Sequence, residues 1–212
     1  MAGTKTTLLA KIADDLERSD LSTQIETAVV DAIDAYKNER FWFNESYRAS
    51  VTLSSSVAFI AMSTLPNRYL EIDRLRVNLS TNNDFDMIQR DYHFIMARQD
   101  GVSPSLPTEF AVYGDKIQFD SKADQNYTLI LDGLIDLSSA ASASYSASSS
   151  ASWFSDARNL IRARAKWDIY LNILKDEAMA TAQAIAEQRA YSDLKSKTNQ
   201  RNSSGKIRPT SF

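Results

Sequence analysis

Cysteine is missing from this chain altogether, and histidine occurs once, at position 93. The first absence excludes disulfides and thiolate metal sites, and with a single imidazole only a carboxylate-built metal site stays open. It also fits assembly in a reducing cytoplasm. Glycine (5) and proline (4) are few and scattered over 212 residues, so no phosphate-cradling glycine loop, dinucleotide fingerprint or nucleophile elbow is present. No apolar run approaches the roughly 18–20 residues that span a bilayer. The opening Met-Ala-Gly-Thr-Lys-Thr-Thr lacks the character of a secretory signal. Neither sign of charge dominates: 24 Lys+Arg against 27 Asp+Glu leaves −3, which supplies no overall pull toward nucleic acid. The expectation is a soluble protein with no cofactor and no membrane partner, long enough for one sizeable domain or one domain carrying an insertion.

What is present is a change of hydrophobic period. Leu8, Leu9, Ile12 and Leu16 recur at helical spacing behind a Thr N-cap, predicting a helix from Thr6 or Thr7 to about Arg18. A second helix is predicted from Ser22 or Thr23, with Thr23 and Glu26 at capping-box spacing and Ile25, Val29, Ile33 and Tyr36 on one face. From about Tyr47 to Leu137 the period is mostly two. Val51 and Leu53, then Val57, Phe59 and Ala61, predict a hairpin around Ser54-Ser55-Ser56. Leu70 and Ile72 alternate in one phase and Leu75, Val77 and Leu79 in the other, so a β-bulge is expected at Asp73-Arg74. Asn83 is read as the cap of a short helix over Asp84 to Arg98, closed by Gly101. Phe110 and Val112, then Gly114-Asp115, then Ile117 and Phe119 predict a two-residue hairpin, and Tyr127, Leu129 and Leu131 a further strand.

Residues 138–152 are Ser and Ala apart from Tyr145, a composition too poor in apolar surface to order itself, and read as a linker. From Ser152 or Ser155 onward, Ala157, Leu160, Trp167, Leu171, Leu174, Ala178, Ala182 and Ile185 keep to one helical face, reaching about Leu194. An unbroken helix of that length would be roughly 60 Å long, so it either breaks or projects. The polar end, 198–212, reads as an extended tail. The apolar helix faces lack local partners but can pack on one another. The fold class expected is therefore α+β. A helical bundle is built from residues 1–46 and 153–197, with 47–137 as a β-rich insertion, 138–152 as the linker and 198–212 as the tail.

No constellation of residues points to catalysis. His93 sits between Tyr92 and Phe94, where a packed or surface role is the ordinary one. Glu71 and Asp73 share a strand face beside Arg74 and Arg76, which reads as charge pairing. The densest basic run is Arg158, Arg162, Arg164 and Lys166. It is either a solvated face with ion pairs or a contact with an acidic partner surface or with phosphates. Positive charge near a helix N-terminus opposes the macrodipole, so compensation is expected. Phe41-Trp42-Phe43 cannot all face inward on one helix, and at least one must seek another surface, such as a neighbouring subunit. Trp42, with Phe41 and Phe43, and the Ala-rich face carrying Ala182 and Ile185 are the candidate subunit interface. In the tail, Arg201, Lys206 and Arg208 can pair with acids while Ile207 and Phe212 anchor in apolar grooves.

Three short motifs stand in order: Tyr36…Glu39-Arg40-Phe41-Trp42-Phe43-Asn44-Glu45, then Leu65-Pro66 with Leu70-Glu71-Ile72-Asp73, then Pro107-Thr108-Glu109-Phe110 with Tyr113-Gly114-Asp115. With them the chain resembles the head-to-tail connector, or adaptor, proteins of tailed bacteriophages over most of its length. The resemblance implies a virion structural protein and not an enzyme. It implies a twelvefold homo-oligomeric ring between the portal protein and tail or nozzle proteins, extending the channel through which double-stranded DNA passes without specific binding. It also directs the C-terminus at the portal, making Arg201, Lys206, Ile207, Arg208 and Phe212, with Arg158 and Arg162, the candidate portal-binding residues. The Ser/Ala run at 138–152 departs from the family pattern. Two alternatives stand beside this: a minor tail or tail-completion protein, and a tail factor with cell-wall hydrolase activity, which would need two carboxylates about 5 to 9.5 Å apart in a cleft.

Overall fold

The computed structural model describes residues 4–80, 83–99, 103–137 and 151–202, which form a mixed α+β protein. In chain order, α1 (Lys5–Leu16) and α2 (Ser22–Tyr36) precede strands β1 (Glu45–Leu53), β2 (Phe59–Ala61), β3 (Tyr69–Ser80), β4 (Asn83–Asp86) and β5 (Ile88–Gln89). Helix α3 (Tyr92–Gln99) leads to β6 (Glu109–Tyr113), β7 (Lys116–Phe119) and β8 (Tyr127–Ile135). Then come α4 (Ala151–Ser155), α5 (Arg158–Asp168) and α6 (Glu177–Asn202). The chain divides into two compact units, residues 1–44 with 137–212, and residues 45–136.

In the first unit α1 begins at Lys5, a residue or two before the expected Thr6 or Thr7, because Thr4 caps it. The Thr4 hydroxyl accepts from the Thr7 N–H at 3.2 Å and the Thr7 hydroxyl accepts from the Thr4 N–H at 3.0 Å. A cap of this kind is worth about 1 kcal/mol. Leu8, Ile12 and Leu16 are buried, and Glu17, in the left-handed region at φ 52°, ends the helix. The capping box expected of Thr23 and Glu26 does not form. Helix α2 starts behind Leu21 without a side-chain cap, and the Glu26 carboxylate is drawn instead to Lys5 Nζ at 2.6 Å. Helix α5 is the hub, packing on α1, α2, α4 and α6 with Leu160, Ile161, Ala163 and Ala165 inward.

The long C-terminal helix of the sequence reading is broken. After α5 the chain widens into a π-helical segment, Ile169–Leu174, and Lys175 turns left-handed at φ 54°. Asp176 then restarts the helix, its carboxylate accepting from the Met179 N–H at 3.0 Å. The restart changes the phase of the apolar stripe. Ala180, Leu194 and Thr198 of α6 turn inward, whereas Ala178, Ala182 and Ile185, expected to continue the buried face, are exposed. The expected tail starts too early as well, because residues 198–202 are the last turn of α6. Of the linker expected at 138–152, Ala151 and Ser152 open α4, and the rest lies outside the described residues, as do 203–212.

The second unit holds two four-stranded sheets, ordered β1-β8-β3-β4 and β2-β7-β6-β5. The hairpin expected around Ser54-Ser55-Ser56 is absent, because the strands flanking it enter different sheets: β1 pairs with β8, and β2 with β7. The bulge at Asp73 is present, a register shift between Ile72 and Arg74 against β8. The Gly114-Asp115 hairpin is also present, with Gly114 at φ +58°. The helix expected over Asp84 to Arg98 is confined to α3. Its first residues form β4 and β5 instead, and the N-cap is Asp91, whose carboxylate accepts from the His93 N–H at 2.8 Å. Residues 83–86 go to the sheet because Asp84 and Asp86 meet arginines across the strand pair: Arg76 reaches Asp84 at 3.1 Å and Arg74 Nε reaches Asp86 at 2.6 Å. Arg74 and Arg76, read from the sequence as charge partners of Glu71 and Asp73, pair with Asp84, Asp86 and Asp132, the last at 2.7 Å from Arg76.

Candidate functional site

Four sequence candidates of the first unit, Phe41, Trp42, Phe43 and Arg201, meet at the segment after α2. Past Tyr36 the chain is knotted by Asn44, fully buried, whose side-chain oxygen accepts from the Phe41 N–H at 2.8 Å while its amide donates to the Glu39 carbonyl at 2.8 Å. That turn separates the three aromatics. Phe41 goes inside, parallel to Phe43 at 5.5 Å and edge-on to Trp153 at 6.0 Å. Phe43 meets Trp153 at 5.1 Å. Trp153 is 0% exposed. Phe41 is therefore core, and as a subunit contact it is unavailable. Trp42 and Phe43 are partly exposed.

Trp42 carries the Arg201 guanidinium over its ring at 4.4 Å, which pins the last turn of α6 to this segment. One turn and a half earlier, Lys195 lies 5.0 Å from the Phe41 ring centroid, pairs with Glu39 at 2.6 Å and donates to the Arg40 carbonyl at 3.2 Å. Tyr191 stacks on Tyr36 at 5.9 Å and donates to Glu39 at 3.0 Å. The side chain of Tyr36 hydrogen-bonds Glu187, and burial together with that bond pushes the phenol upward. Hydrogen bonds from Lys195 first, and Tyr191 as well, hold the Glu39 carboxyl below its ordinary value against the effect of burial.

The basic run at the start of α5 is largely satisfied within the unit. Arg162 grips Asp15 with two donors, Nε at 2.7 Å, and Lys166 reaches the same carboxylate at 3.0 Å. Arg164 contacts Glu187 at 3.3 Å and stacks on Trp167 at 4.3 Å. Within this run Arg158 differs, its buried Nε having no hydrogen-bond partner among the described residues. Burial acts to raise Asp15, but the hydrogen bonds from Arg162 and Lys166 outweigh it and hold the carboxyl below its ordinary 3.8. A carboxyl depressed in the fold adds stability above its ordinary value and loses it as pH falls through the folded value. The same sign holds for Glu39, ordinary value 4.5. Thermal unfolding should therefore move to lower temperature as pH falls below about 4. Asp15→Asn should flatten part of that slope and cost about 1 kcal/mol at neutral pH. An Asp15→Asn profile superimposable on the unsubstituted one would show that the pair contributes nothing.

The sequence candidates are thus sorted by the fold. Ala182 and Ile185 lie on the outer face of α6, Ile185 51% exposed. Arg201 joins Trp42, while Lys206, Ile207, Arg208 and Phe212 lie outside the described residues. His93 is exposed on α3, its ring edge-on to Tyr92. Trp153, Glu187, Tyr191 and Lys195, which build this region, carry no local signal, since each acts on residues far away in the chain. The break that turns Ala182 outward does have one, in Asp176-Glu177, an N-cap pair inside the long helical pattern.

The family model of the SU10 adaptor protein matches residues 4–210. The chain belongs to the SU10 adaptor protein family. No curated protein matches it. As an SU10 adaptor it is a phage adaptor-type structural protein, a virion component of a non-enzymatic family whose members interact with portal and tail proteins. Among its described residues no helix is long and apolar enough to cross a membrane.

Proposed function

We propose that this adaptor is the subunit of a twelvefold ring that sits between the portal and the tail or nozzle proteins, extends the DNA channel and offers a docking platform below the portal. The family match over residues 4–210 carries the reading. A closed ring of more than two members needs two different faces on each subunit. The outer face of α6 with Ala182 and Ile185 supplies one, and the exposed part of Trp42 and Phe43 lies on the other. The tail beyond Asn202, with Lys206, Ile207, Arg208 and Phe212, docks on the portal beside Arg158. Arg201 sets the tail's point of departure through its hold on Trp42, and Arg162 serves the internal pair with Asp15. Twelve copies, each at −3, carry −36, a field that lets DNA slide without sticking and is screened beyond roughly 10 Å at 0.1 M salt.

The test is the mass of the purified chain with and without portal protein, by light scattering. The chain alone is expected to be a monomer and to form the twelvefold ring on portal. Because 198–202 are helical, the informative truncation removes 203–212. It should leave the fold intact and weaken attachment severely. A ring that forms unchanged in the truncated chain moves the docking surface elsewhere, and one that survives both Trp42→Ala and Ala182→Glu removes both ring faces. Tight, salt-sensitive duplex binding by the isolated chain would contradict the channel reading.

A further inference from the structure

The second unit contains a trough that the adaptor reading does not use. Phe59 lies opposite Gln118, and Ala61 opposite Lys116, in the pairing of β2 with β7. Residues directly opposite, and residues two apart on a strand, share a face of the sheet. Phe59, Lys116 and Gln118 therefore stand on one face. Helix α3 packs against β6 and β7 and leaves beside it an open trough of 820 Å³ against β2, the edge strand. Its floor is ordered: the Gln118 amide donates to the Ala58 carbonyl at 3.0 Å and to the Gln99 side-chain oxygen at 3.2 Å. Met96 of α3 and Val57 are among its lining.

Among the described residues, the charged side chains lining the trough are Lys116 and Lys122. Lys116 stands at the Ala61 end, its ammonium 5.2 Å from the Phe59 ring centroid. Lys122 stands at the other end, where its neighbour Ala123 donates to the Val57 carbonyl at 3.0 Å. Neither lysine makes an ion pair among the described residues, and no described carboxylate lines the trough.

We propose that this trough binds an extended acidic segment of a partner protein. The segment places carboxylates four residues apart on the two lysines and an apolar side chain midway between them over Met96. In an extended peptide the first, third and fifth residues point the same way, so carboxylates on the first and fifth flank the side chain of the third about 13 Å apart. The aromatic faces argue for peptide over single-stranded nucleic acid. Tyr92 is stacked on Tyr113 at 4.2 Å and Phe59 is engaged by Lys116, so neither offers a free platform for a base.

The probe is a fluorescein-labelled peptide, Gly-Glu-Ser-Leu-Ser-Glu-Gly, titrated with the full chain by fluorescence anisotropy. The expected result is saturable binding that Lys116→Glu combined with Lys122→Glu weakens at least about tenfold, with unchanged circular dichroism. A peptide with Lys in place of both Glu should in turn prefer the doubly substituted chain. Absence of saturable binding, or equal binding by the substituted chain, overturns the proposal. So does a labelled oligothymidine whose binding, unlike that of the peptide, depends on these two lysines.

Discussion

Gly133→Ala should cost about 3 kcal/mol or more and loosen the central strand pair of the first sheet. A Cβ at Gly133 would stand 2.2 Å from the Glu71 carbonyl oxygen and 3.1 Å from the Ile72 Cα. Both obstacles are backbone, so no side chain can swing aside. Gly133 pairs with Ile72 where the register of β3 shifts against β8, and the bulge brings the two chains this close. Relief requires β8 to move off β3, and β8 also carries the whole of β1 on its other edge. Gly114→Ala is the control. There the added carbon meets nothing within 4 Å, and the cost comes only from φ +58°, about 1 kcal/mol. Urea unfolding of the two variants should therefore differ clearly in midpoint. Equal midpoints would mean that the strand pair yields more easily than its geometry allows.

Trp153→Ala should destabilise the helical unit by about 3–5 kcal/mol, a large share of the stability of an ordinary domain. Trp153 is completely buried, and Phe41 and Phe43 both rest their rings against it. Removing the indole leaves these two rings facing a void, and with it goes the support for the turn that presents Trp42. Its Nε1–H has no hydrogen-bond partner among the described residues, so the indole already bears the cost of an unmet donor. Trp153→Phe removes that donor with the smaller loss of volume and should be much milder than Trp153→Ala. Denaturant unfolding followed by helical circular dichroism separates the two. A Trp153→Phe variant as unstable as Trp153→Ala would show that indole shape, not buried area, supports the aromatic turn.

Neither effect was legible in the sequence, although much around them was. The stripe Leu8, Ile12, Leu16 and the stripe Ile25, Val29, Ile33 state two amphipathic helices by spacing alone, and both are buried as the spacing requires. The phase slip between Ile72 and Leu75 announced the bulge, and Gly114-Asp115 the hairpin turn. These are local consequences of period and turn chemistry, complete within a few residues. Residues 83–86 failed the local reading because a cap residue and a strand residue look alike until a partner strand supplies Arg74 and Arg76.

By itself, then, the amino-acid sequence determined the α+β class, the helical faces of α1 and α2, the bulge and the β6–β7 turn, together with the resemblance to phage adaptors. Only the tertiary structure decided which strands share a sheet, which of the three aromatics goes inside, and which face of α6 turns outward. Pairing of β1 with β8 and of Phe41 with Trp153 joins residues 74 to 112 positions apart, and no local period records such a choice. The face of α6 depended on one left-handed residue, Lys175, whose conformation re-phases every side chain after it. A helical pattern read along the chain assumes constant phase, and a single φ of opposite sign ends that assumption.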